Sequence, residues 1–252
     1  MADAIFEERR LAQIYDALDD DRSDLDAYLA LADLLGARSV LDIGCGTGTF
    51  ACLLAERGRE VTGVDPAAAS LEVARRKPCA DRVRWLTGDV TVLPPIRVDL
   101  VTMTGNVAQV FLDEQDWAST LMAARAALRP TGHLVFEIRD PAGEGWREWN
   151  RERSRRRTEL PGGGSVEAWV ELTEVSLPLV SFLWTFVFDD GAVLTSNSTL
   201  RFRTEAETRA ALRAADFTVI DVRDAPDRPG REFVFIAKPA EVIPSDWPSP
   251  AN

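Results

Sequence analysis

Metal-binding side chains are scarce in this sequence of 252 residues, which has one histidine and three cysteines. Because Cys45, Cys52 and Cys79 form no C-x-x-C pair, their spacing predicts neither a disulfide framework nor a zinc site, and it fits a reducing compartment. A site for a hard cation would need clustered carboxylates, and the pattern shows no such cluster. We therefore predict no bound metal.

Basic residues and long apolar runs are also in short supply. Lys and Arg number 29 against 41 Asp and Glu, so the formal net charge is -12, and a field of that sign repels polyanions such as nucleic acids. No apolar run approaches the ~20 residues that span a bilayer, and the N-terminal segment lacks the apolar stretch of a secretion signal. These absences predict a cytoplasmic protein that acts on a small molecule, with no nucleic-acid or membrane partner.

Apolar residues make up 46% of the chain, enough for a sizeable core, and their pattern predicts an α/β fold. Two helical segments come first, one over residues 5–18 and one opened by Ser23 as N-cap. From Val40 onwards short β-rich runs alternate with helical stretches, and five strands can be counted by Ile138. This alternation predicts βαβ units in a doubly wound, mostly parallel sheet with helices on both faces.

A second kind of structure is predicted for residues 141–203, where the alternation stops. This segment is too long for an irregular loop, and it contains three strand-like runs, two of which are joined by the turn Asp189 to Gly191. We predict a small antiparallel β-sheet inserted into the main fold. The chain then returns with a helix whose first turn holds a capping box of Thr204 and Glu207, followed by the strands FTVIDV and EFVFIAK.

A glycine-rich turn follows the first strand in the stretch VLDIGCGTGTF, residues 40–50. Gly44, Gly46 and Gly48 lack Cβ atoms, so the backbone can adopt positive φ there and a ligand can approach it closely. Ligands of parallel sheets bind outside the carboxyl ends of the strands, where this turn lies. The alternative is a tight strand-to-helix turn that binds nothing.

The spacing of the glycines argues against a dinucleotide. In the fingerprint G-x-G-x-x-G the last position is glycine, and Thr49 stands there in this sequence. Asp42, at the end of the strand, would repel a pyrophosphate and attract an ammonium group. With this acidic-x-Gly-x-Gly-x-Gly stretch the sequence resembles the class I S-adenosylmethionine-dependent methyltransferases. The resemblance is strong over residues 38–140 and looser over 204–238.

The resemblance implies S-adenosylmethionine as the cofactor, S-adenosylhomocysteine as its product, and a seven-stranded sheet whose last strand is antiparallel. By the same resemblance Asp65 accepts hydrogen bonds from the ribose hydroxyls, and Asp89 and Val90 hold the adenine. Residues 104–106 would lie along the methionine part. The full cofactor-binding set that the resemblance implies is Tyr15, Asp42, Gly44, Cys45, Gly46, Gly48, Asp65, Pro66, Asp89, Val90, Thr104, Gly105 and Asn106, with Asp16 as a further contact.

The same resemblance divides the chain into five segments. They are an N-terminal helical lid (1–37), the S-adenosylmethionine-binding core (38–140), the β insert as acceptor cover or dimer surface (141–203), the completion of the core sheet (204–238) and an irregular tail (239–252). Any homodimer is therefore expected to form through the insert.

Several residues have a plain structural alternative. Asp42 could cap a backbone N–H of the turn, and Asp65 could be an acid at the entry to a helix. His133 is either a general base or the first residue of a strand, and the sequence favours the strand. The run RERSRRR, residues 151–157, is either an anion-binding patch or a solvated surface loop, and the sequence favours the loop.

The methyl acceptor is only coarsely predicted. Transfer from a sulfonium is an in-line displacement on an activated carbon, so no obligatory catalytic motif exists and no catalytic residue is assigned. The fourth strand is followed by TGN and not by the (Asp or Asn)-Pro-Pro-aromatic stretch of family members that methylate amino groups of nucleic acids and glutamine. We predict a small-molecule acceptor that is methylated on N or O. Candidate acceptor contacts are Asn106, Gln109, Arg139 and Trp184.

The sequence leaves three alternatives open. Trp184, like Trp169, is either core of the small sheet or an aromatic cover over the acceptor. A non-catalytic protein that senses S-adenosylmethionine would carry the same cofactor motifs. A nicotinamide-dependent oxidoreductase would need the glycine that Thr49 replaces.

Overall fold

The computed structural model describes residues 2–241, which form two β-sheets and the helices around them. The α-helices are α1 (Ala4–Glu7), α2 (Arg9–Leu18), α3 (Asp24–Leu34), α4 (Thr49–Glu56), α5 (Ala68–Ala74), α6 (Glu114–Ala127), α7 (Arg151–Ser154) and α8 (Glu205–Ala214). The strands are β1 (Ser39–Ile43), β2 (Glu60–Asp65), β3 (Val83–Thr87), β4 (Val98–Met103), β5 (Leu128–Arg139), β6 (Arg156–Glu159), β7 (Ser165–Ser176), β8 (Leu179–Phe188), β9 (Val193–Arg201), β10 (Phe217–Asp224) and β11 (Glu232–Pro239). Of the predicted tail, residues 242–252 lie outside the described residues.

The main sheet has seven strands in the order β10-β11-β5-β4-β1-β2-β3. Strands β1 to β5 run parallel, and β11, the last strand of the chain, is antiparallel to both of its neighbours. The predicted fold class is thereby confirmed. Because β1, β2, β4 and β5 are parallel, their carboxyl ends meet at one edge of the sheet, and β11 begins at that same edge opposite Arg139.

Apolar side chains cover both faces of the main sheet, since successive residues of a strand point to opposite faces. On one face Trp117 of α6 packs edge-on against Phe136, which stacks on Phe235, with ring centroids 5.6 and 5.3 Å apart. On the other face Tyr28 of α3 packs edge-on against Phe50 of α4 at 6.2 Å. Because both faces of the main sheet are covered, a ligand would bind at the ends of its strands.

The insert is an antiparallel sheet of four strands, β6-β7-β8-β9, and not of three. The turn predicted at residues 189–191 is confirmed: Phe188 and Ala192 are joined by a backbone hydrogen bond, and Gly191 has a φ of 83°. The loop expected over 151–157 is wrong. Asn150 caps a turn of helix by accepting a hydrogen bond from Arg153 N–H, and the following residues pair with β7.

Helices α1 and α2 connect the insert to the main fold. The backbone N–H of Ile5 donates to Ser196 Oγ of β9 at 2.9 Å, and the Ser70 hydroxyl of α5 donates to the carbonyl of Phe6 at 2.8 Å. The single helix predicted over residues 5–18 is broken at Glu8, whose carboxylate accepts a hydrogen bond from Leu11 N–H and caps α2. The break lets the two helices contact different partners.

The cysteine prediction is wrong for one pair. Cys52 of α4 and Cys79, which follows α5, form a disulfide with a Cα to Cα distance of 5.6 Å. The pair is 27 residues apart in the chain, so only the packing of α4 beside the end of the α5 segment brings it together. Cys45 is a free, buried thiol. Within residues 2–241 no helix is long and apolar enough to cross a membrane.

Candidate functional site

The glycine turn joins β1 to α4 at the carboxyl edge of the main sheet. Gly44, Gly46 and Gly48 all have positive φ, at 72°, 53° and 79°. A Cβ on Gly44 would lie 2.6 Å from the Val107 side chain, and one on Gly48 would lie 2.5 Å from Trp85, so these two glycines are required by packing. A Cβ on Gly46 would meet nothing within 4 Å. Gly46 therefore faces open space, as the floor of a ligand site does.

Asp65 fixes the far side of this turn. One of its carboxylate oxygens accepts a hydrogen bond from Gly46 N–H and the other from Ala67 N–H, each at 2.8 Å. The side chain is buried, and burial raises the pKa of its carboxyl. Each oxygen has a second lone pair, so the geometry accommodates hydroxyl donors in addition to the two backbone bonds. Pro66, which follows, is exposed.

Asp89 lies at the start of a short 3-10 helix, Val90–Val92, beyond the end of β3. Its Oδ1 accepts hydrogen bonds from Thr91 N–H and from the Thr91 hydroxyl, and these bonds lower the pKa of the exposed carboxyl. The carboxylate is thus held ionised and outward, where it can accept from an amino group. Val90 is partly buried.

Helix α2 is tied to the glycine turn through Asp16. The Thr47 hydroxyl donates to Asp16 Oδ1 at 2.5 Å, and Lys77 Nζ lies 2.7 Å from Asp16 Oδ2. Lys77 also donates to the Thr49 hydroxyl at 2.6 Å. Tyr15 is partly buried next to this contact, and burial raises the pKa of its hydroxyl. The helix therefore lies directly beside the turn.

A row of polar side chains crosses the same edge of the sheet. It consists of Asp42 on β1, Thr102 on β4, Glu137 on β5 and Glu232 on β11, and all four are buried. The Thr102 hydroxyl donates to Asp42 Oδ1 at 2.8 Å, so Asp42 bonds a neighbouring strand. Burial raises the pKa of Asp42 to about 7 and that of Glu137 to about 7.

Asn106 joins this row from the loop after β4. It has a left-handed backbone with φ at 62°, its N–H donates to Glu137 Oε1 at 2.6 Å, and its Nδ2 lies 3.4 Å from Glu232 Oε1. Thr104 precedes it and is partly buried, whereas Gly105 is exposed, and a Cβ on Gly105 would meet nothing within 4 Å. The loop thus presents bare backbone on one side and a buried polar side chain on the other.

Gln109 and Arg139, two of the candidate acceptor contacts, are bonded to each other. Gln109 is fully buried, its Oε1 accepts from Arg139 N–H at 3.2 Å, and its Nε2 donates to the Arg201 carbonyl at 3.3 Å. Both ends of the amide are therefore used inside the protein. The Arg139 guanidinium lies 3.5 Å from Glu232 Oε1 and 5.8 Å from the ring of Trp149.

The remaining candidates lie apart from this group. Trp184 stacks on Phe186 at 5.9 Å and packs with α1 and α2, so it belongs to the contact between the insert and the N-terminal helices. His133 lies within β5, paired with Leu100, away from the carboxyl edge. Its strand begins at Leu128 and not at His133 as the sequence suggested, and burial lowers the pKa of its imidazole.

Glu137 and Glu232 were not predicted from the sequence. Glu137 interrupts the apolar strand HLVFEIR, and Glu232 is the first residue of the strand EFVFIAK. An ionisable side chain inside an apolar run indicates a buried ionisable group, and the sequence of β5 carries this signal at Glu137. Their proximity to Asn106 depends on the pairing of β11 with β5, which the local sequence does not express.

The raised pKa of Glu137 predicts a pH-dependent stability. Its ordinary value is 4.5, so the stability that the neutral carboxyl provides is fully present below about pH 4.5 and is lost as the pH rises through about 7. Between pH 5 and pH 8 the wild type should lose on the order of 2 kcal/mol of unfolding free energy relative to Glu137→Gln, because glutamine does not titrate. Urea denaturation at both pH values measures this, with exposed Glu174→Gln as control. Parallel pH curves for wild type and Glu137→Gln would contradict the assignment.

The sequence of the chain is similar to those of methyltransferases. Residues 40–132 match the family described as Methyltransferase domain. A malonyl-[acyl-carrier protein] O-methyltransferase of Serratia marcescens is 32% identical over 177 residues, which are 66% of this chain and 62% of that protein. The matches cover 42% to 62% of the curated relatives' own lengths. The matched region contains the glycine turn and the first four strands of the main sheet.

Solved structures share the fold over nearly the whole chain. A S-adenosylmethionine-dependent methyltransferase from Clostridium acetobutylicum superposes with a TM-score of 0.73 at 19% identity, covering 93% of this chain and 99% of that one. An amino pentose methyltransferase from Micromonospora echinaspora, solved with S-adenosylmethionine bound, gives 0.69 at 23% identity, covering 90% and 97%. At these identities the likeness concerns the fold, including the β insert.

Proposed function

We propose that the chain transfers a methyl group from S-adenosylmethionine to a nitrogen or oxygen of a small-molecule acceptor. Residues 40–132 match a methyltransferase domain, and the chain shares its fold with a S-adenosylmethionine-dependent methyltransferase. The observation that carries this proposal is the open space above Gly46 and Gly105, two residues with positive φ whose Cβ atoms would meet nothing. Bare backbone of this kind at the carboxyl edge of a parallel sheet is where a flat ligand fits.

The residues around this backbone fit the cofactor. Asp65 would hold the ribose, Asp89 and the Val90 backbone the adenine, and Asp42 with the 104–106 loop the methionine end. The cofactor supplies an activated methyl group when bound. The chain's own residues bind and orient it, while α2, held to the glycine turn by Asp16, excludes water from that side.

The acceptor would enter between the polar row and the insert. The relatives' names include an O-methyltransferase and an amino pentose methyltransferase, which supports a small molecule and leaves N and O both open. The five-segment division, a homodimer through the insert, the lack of a nucleic-acid partner and the cytoplasmic location remain predictions. Sedimentation equilibrium tests the dimer, and cell fractionation tests the location.

Isothermal titration with S-adenosylmethionine, S-adenosylhomocysteine and NADH tests the proposal first. We expect micromolar binding of the two sulfur compounds and no binding of NADH. Binding of NADH alone would support an oxidoreductase and refute the proposal. A sensor would bind the sulfur compounds but form no S-adenosylhomocysteine with any of a panel of amines, phenols and alcohols.

Asp65→Ala is expected to weaken S-adenosylmethionine binding by about 1.5 to 3 kcal/mol, the scale of hydrogen bonds to a charged group. The variant also frees two backbone N–H groups at Gly46 and Ala67, so its unfolding free energy is measured alongside. Asp116→Ala, at an exposed position on α6, is the control. Unchanged affinity in a folded Asp65→Ala protein would refute the ribose assignment.

A further inference from the structure

Part of the polar row forms a cluster, here called the acidic chamber, with two neighbouring side chains. It is made of the buried Asn106, Glu137 and Glu232, with Tyr28 and the partly buried Arg139 beside them. Glu137 and Glu232 are 3% and 5% exposed and Asn106 is 6% exposed. The three are linked by the bonds from Asn106 to both carboxylates. The Tyr28 hydroxyl approaches the Glu137 carboxyl from α3. The cluster lies next to Gly105, whose open side we assign to the cofactor.

Two atoms of the acidic chamber lack a hydrogen-bond partner among residues 2–241. They are Glu137 Oε2 and Asn106 Oδ1. The orientation of the Asn106 amide follows from its Nδ2, which faces Glu232 Oε1, so the unpartnered atom is the carbonyl oxygen. A buried polar atom without a partner is unfavourable, and both atoms here are acceptors. The complementary ligand is therefore one that brings several donors.

The two carboxylates of the acidic chamber differ in their charged partners. Glu232 is paired with Arg228 at 2.8 Å and with Arg139 at 3.5 Å. Glu137 has no ion pair within the described part of the chain, and the two donors at its carboxyl, the Asn106 backbone N–H and the Tyr28 hydroxyl, are both neutral. A cationic donor would supply both the ion pair and the hydrogen bond to Oε2 that Glu137 lacks. An ammonium group has three N–H donors and a positive charge, so it matches both requirements.

We propose that the acidic chamber binds the methyl acceptor as a protonated amine and that Glu137 removes one of its protons. This inference rests on the proposed function and specifies its acceptor class. In the step, an N–H bond of the ammonium breaks, an O–H bond forms at Glu137 Oε2, and the electron pair of the broken bond stays on nitrogen as the lone pair needed for methylation. The proton passes from the ammonium to the carboxylate, which leaves a neutral amine and a neutral carboxyl, so no further reactant is required.

The groups that face Glu137 support proton removal near neutral pH. They are Tyr28 from α3, Asp42 from β1, Glu232 from β11 and Arg139 from its own strand. Burial, with Glu232, raises the pKa of Glu137 to about 7, and the bonds from Asn106 and Tyr28 together with Arg139 oppose that rise. A base with its pKa near the working pH is the one that both holds a cation and accepts a proton.

The experiment uses amine and alcohol pairs of matched shape, with the protein saturated by S-adenosylhomocysteine so that no turnover occurs. Benzylamine and benzyl alcohol, and cyclohexylamine and cyclohexanol, are titrated by calorimetry at pH 7.5. We expect each amine to bind at least ~10-fold more tightly than its alcohol, a factor worth about 1.4 kcal/mol. Glu137→Gln should remove that preference without changing the affinity for S-adenosylhomocysteine, and Glu174→Gln should keep it.

Failure of this inference is distinguishable from failure of the proposed function. If S-adenosylhomocysteine does not bind, the cofactor assignment fails, and the amine titration is run on the protein alone. Amines that bind no better than alcohols, or that show no binding at all, overturn the inference, as does a preference that survives Glu137→Gln. If that variant does not fold, the wild-type profile decides: amine affinity should rise between pH 6 and pH 8, and a flat profile overturns the inference.

Discussion

Replacing Gly46 with valine is expected to weaken S-adenosylmethionine binding at least ~100-fold, about 2.7 kcal/mol, in a protein that still folds. Gly44 and Gly48 are hemmed in by Val107 and Trp85, whereas a side chain on Gly46 would extend into the space assigned to the ligand. The added atoms would therefore displace cofactor and leave the core intact. Titration calorimetry measures the affinity, and circular dichroism with urea unfolding measures the fold.

Valine at this position also strains the backbone, because φ is 53°. Gly58→Val is the matched control: Gly58 has a φ of 80°, a Cβ there would also meet nothing within 4 Å, and it lies at the end of α4 away from the carboxyl edge. The control should lose comparable stability and keep normal affinity. If Gly46→Val binds as the control does, the glycine turn is not the floor of the site.

Arg203→Met is expected to destabilise the protein by on the order of 3 kcal/mol, without a change in cofactor affinity. Arg203 lies in the segment that joins β9 to α8, and its buried guanidinium donates to the carbonyls of Ala108 and Phe111 at 3.2 and 2.8 Å. It also lies 5.2 Å from the Trp117 ring and 3.1 Å from Glu114 Oε1. Glu114 is half-exposed, so most of the loss comes from the unsatisfied carbonyls and the lost packing.

The melting temperature measures this effect. For a chain of this size about 3 kcal/mol corresponds to a decrease of roughly 6 to 12 °C. Arg209→Met is the control, because Arg209 forms an exposed pair with Glu205 on α8 and should cost under about 0.5 kcal/mol. Equal melting temperatures for the two variants would mean that Arg203 does not hold the insert to the main fold.

The strand ends were predictable because their signals are local. Asp42, Asp65 and the glycines follow short apolar runs, and a parallel sheet necessarily brings such ends to one edge. The capping box of Thr204 and Glu207 is equally local, and the structure confirms it. Residues within a few positions of each other set these features, so one sequence suffices to find them.

The acidic chamber was not predictable in the same way. Asn106, Glu137 and Glu232 are brought together across 126 residues by the pairing of β4, β5 and β11. The Cys52 to Cys79 disulfide likewise depends on how two helices pack. Asn106 was expected from resemblance along the methionine part of the cofactor, but its two carboxylate partners come from β5 and β11, whose pairing the local sequence does not predict.

The position of α1 and α2 between the two sheets has a consequence for the order in which the protein is made. Ile5 bonds to Ser196, 191 residues later in the chain. At ~5 to 20 residues per second, Ser196 is added roughly 10 to 40 s after Ile5. During that interval Leu11 and Ile14, buried in the finished protein, have no insert to pack against. Until β9 is made, the nascent chain therefore carries an exposed apolar stripe on α1 and α2, and these helices can complete their contact with the insert only after Ser196 has been added.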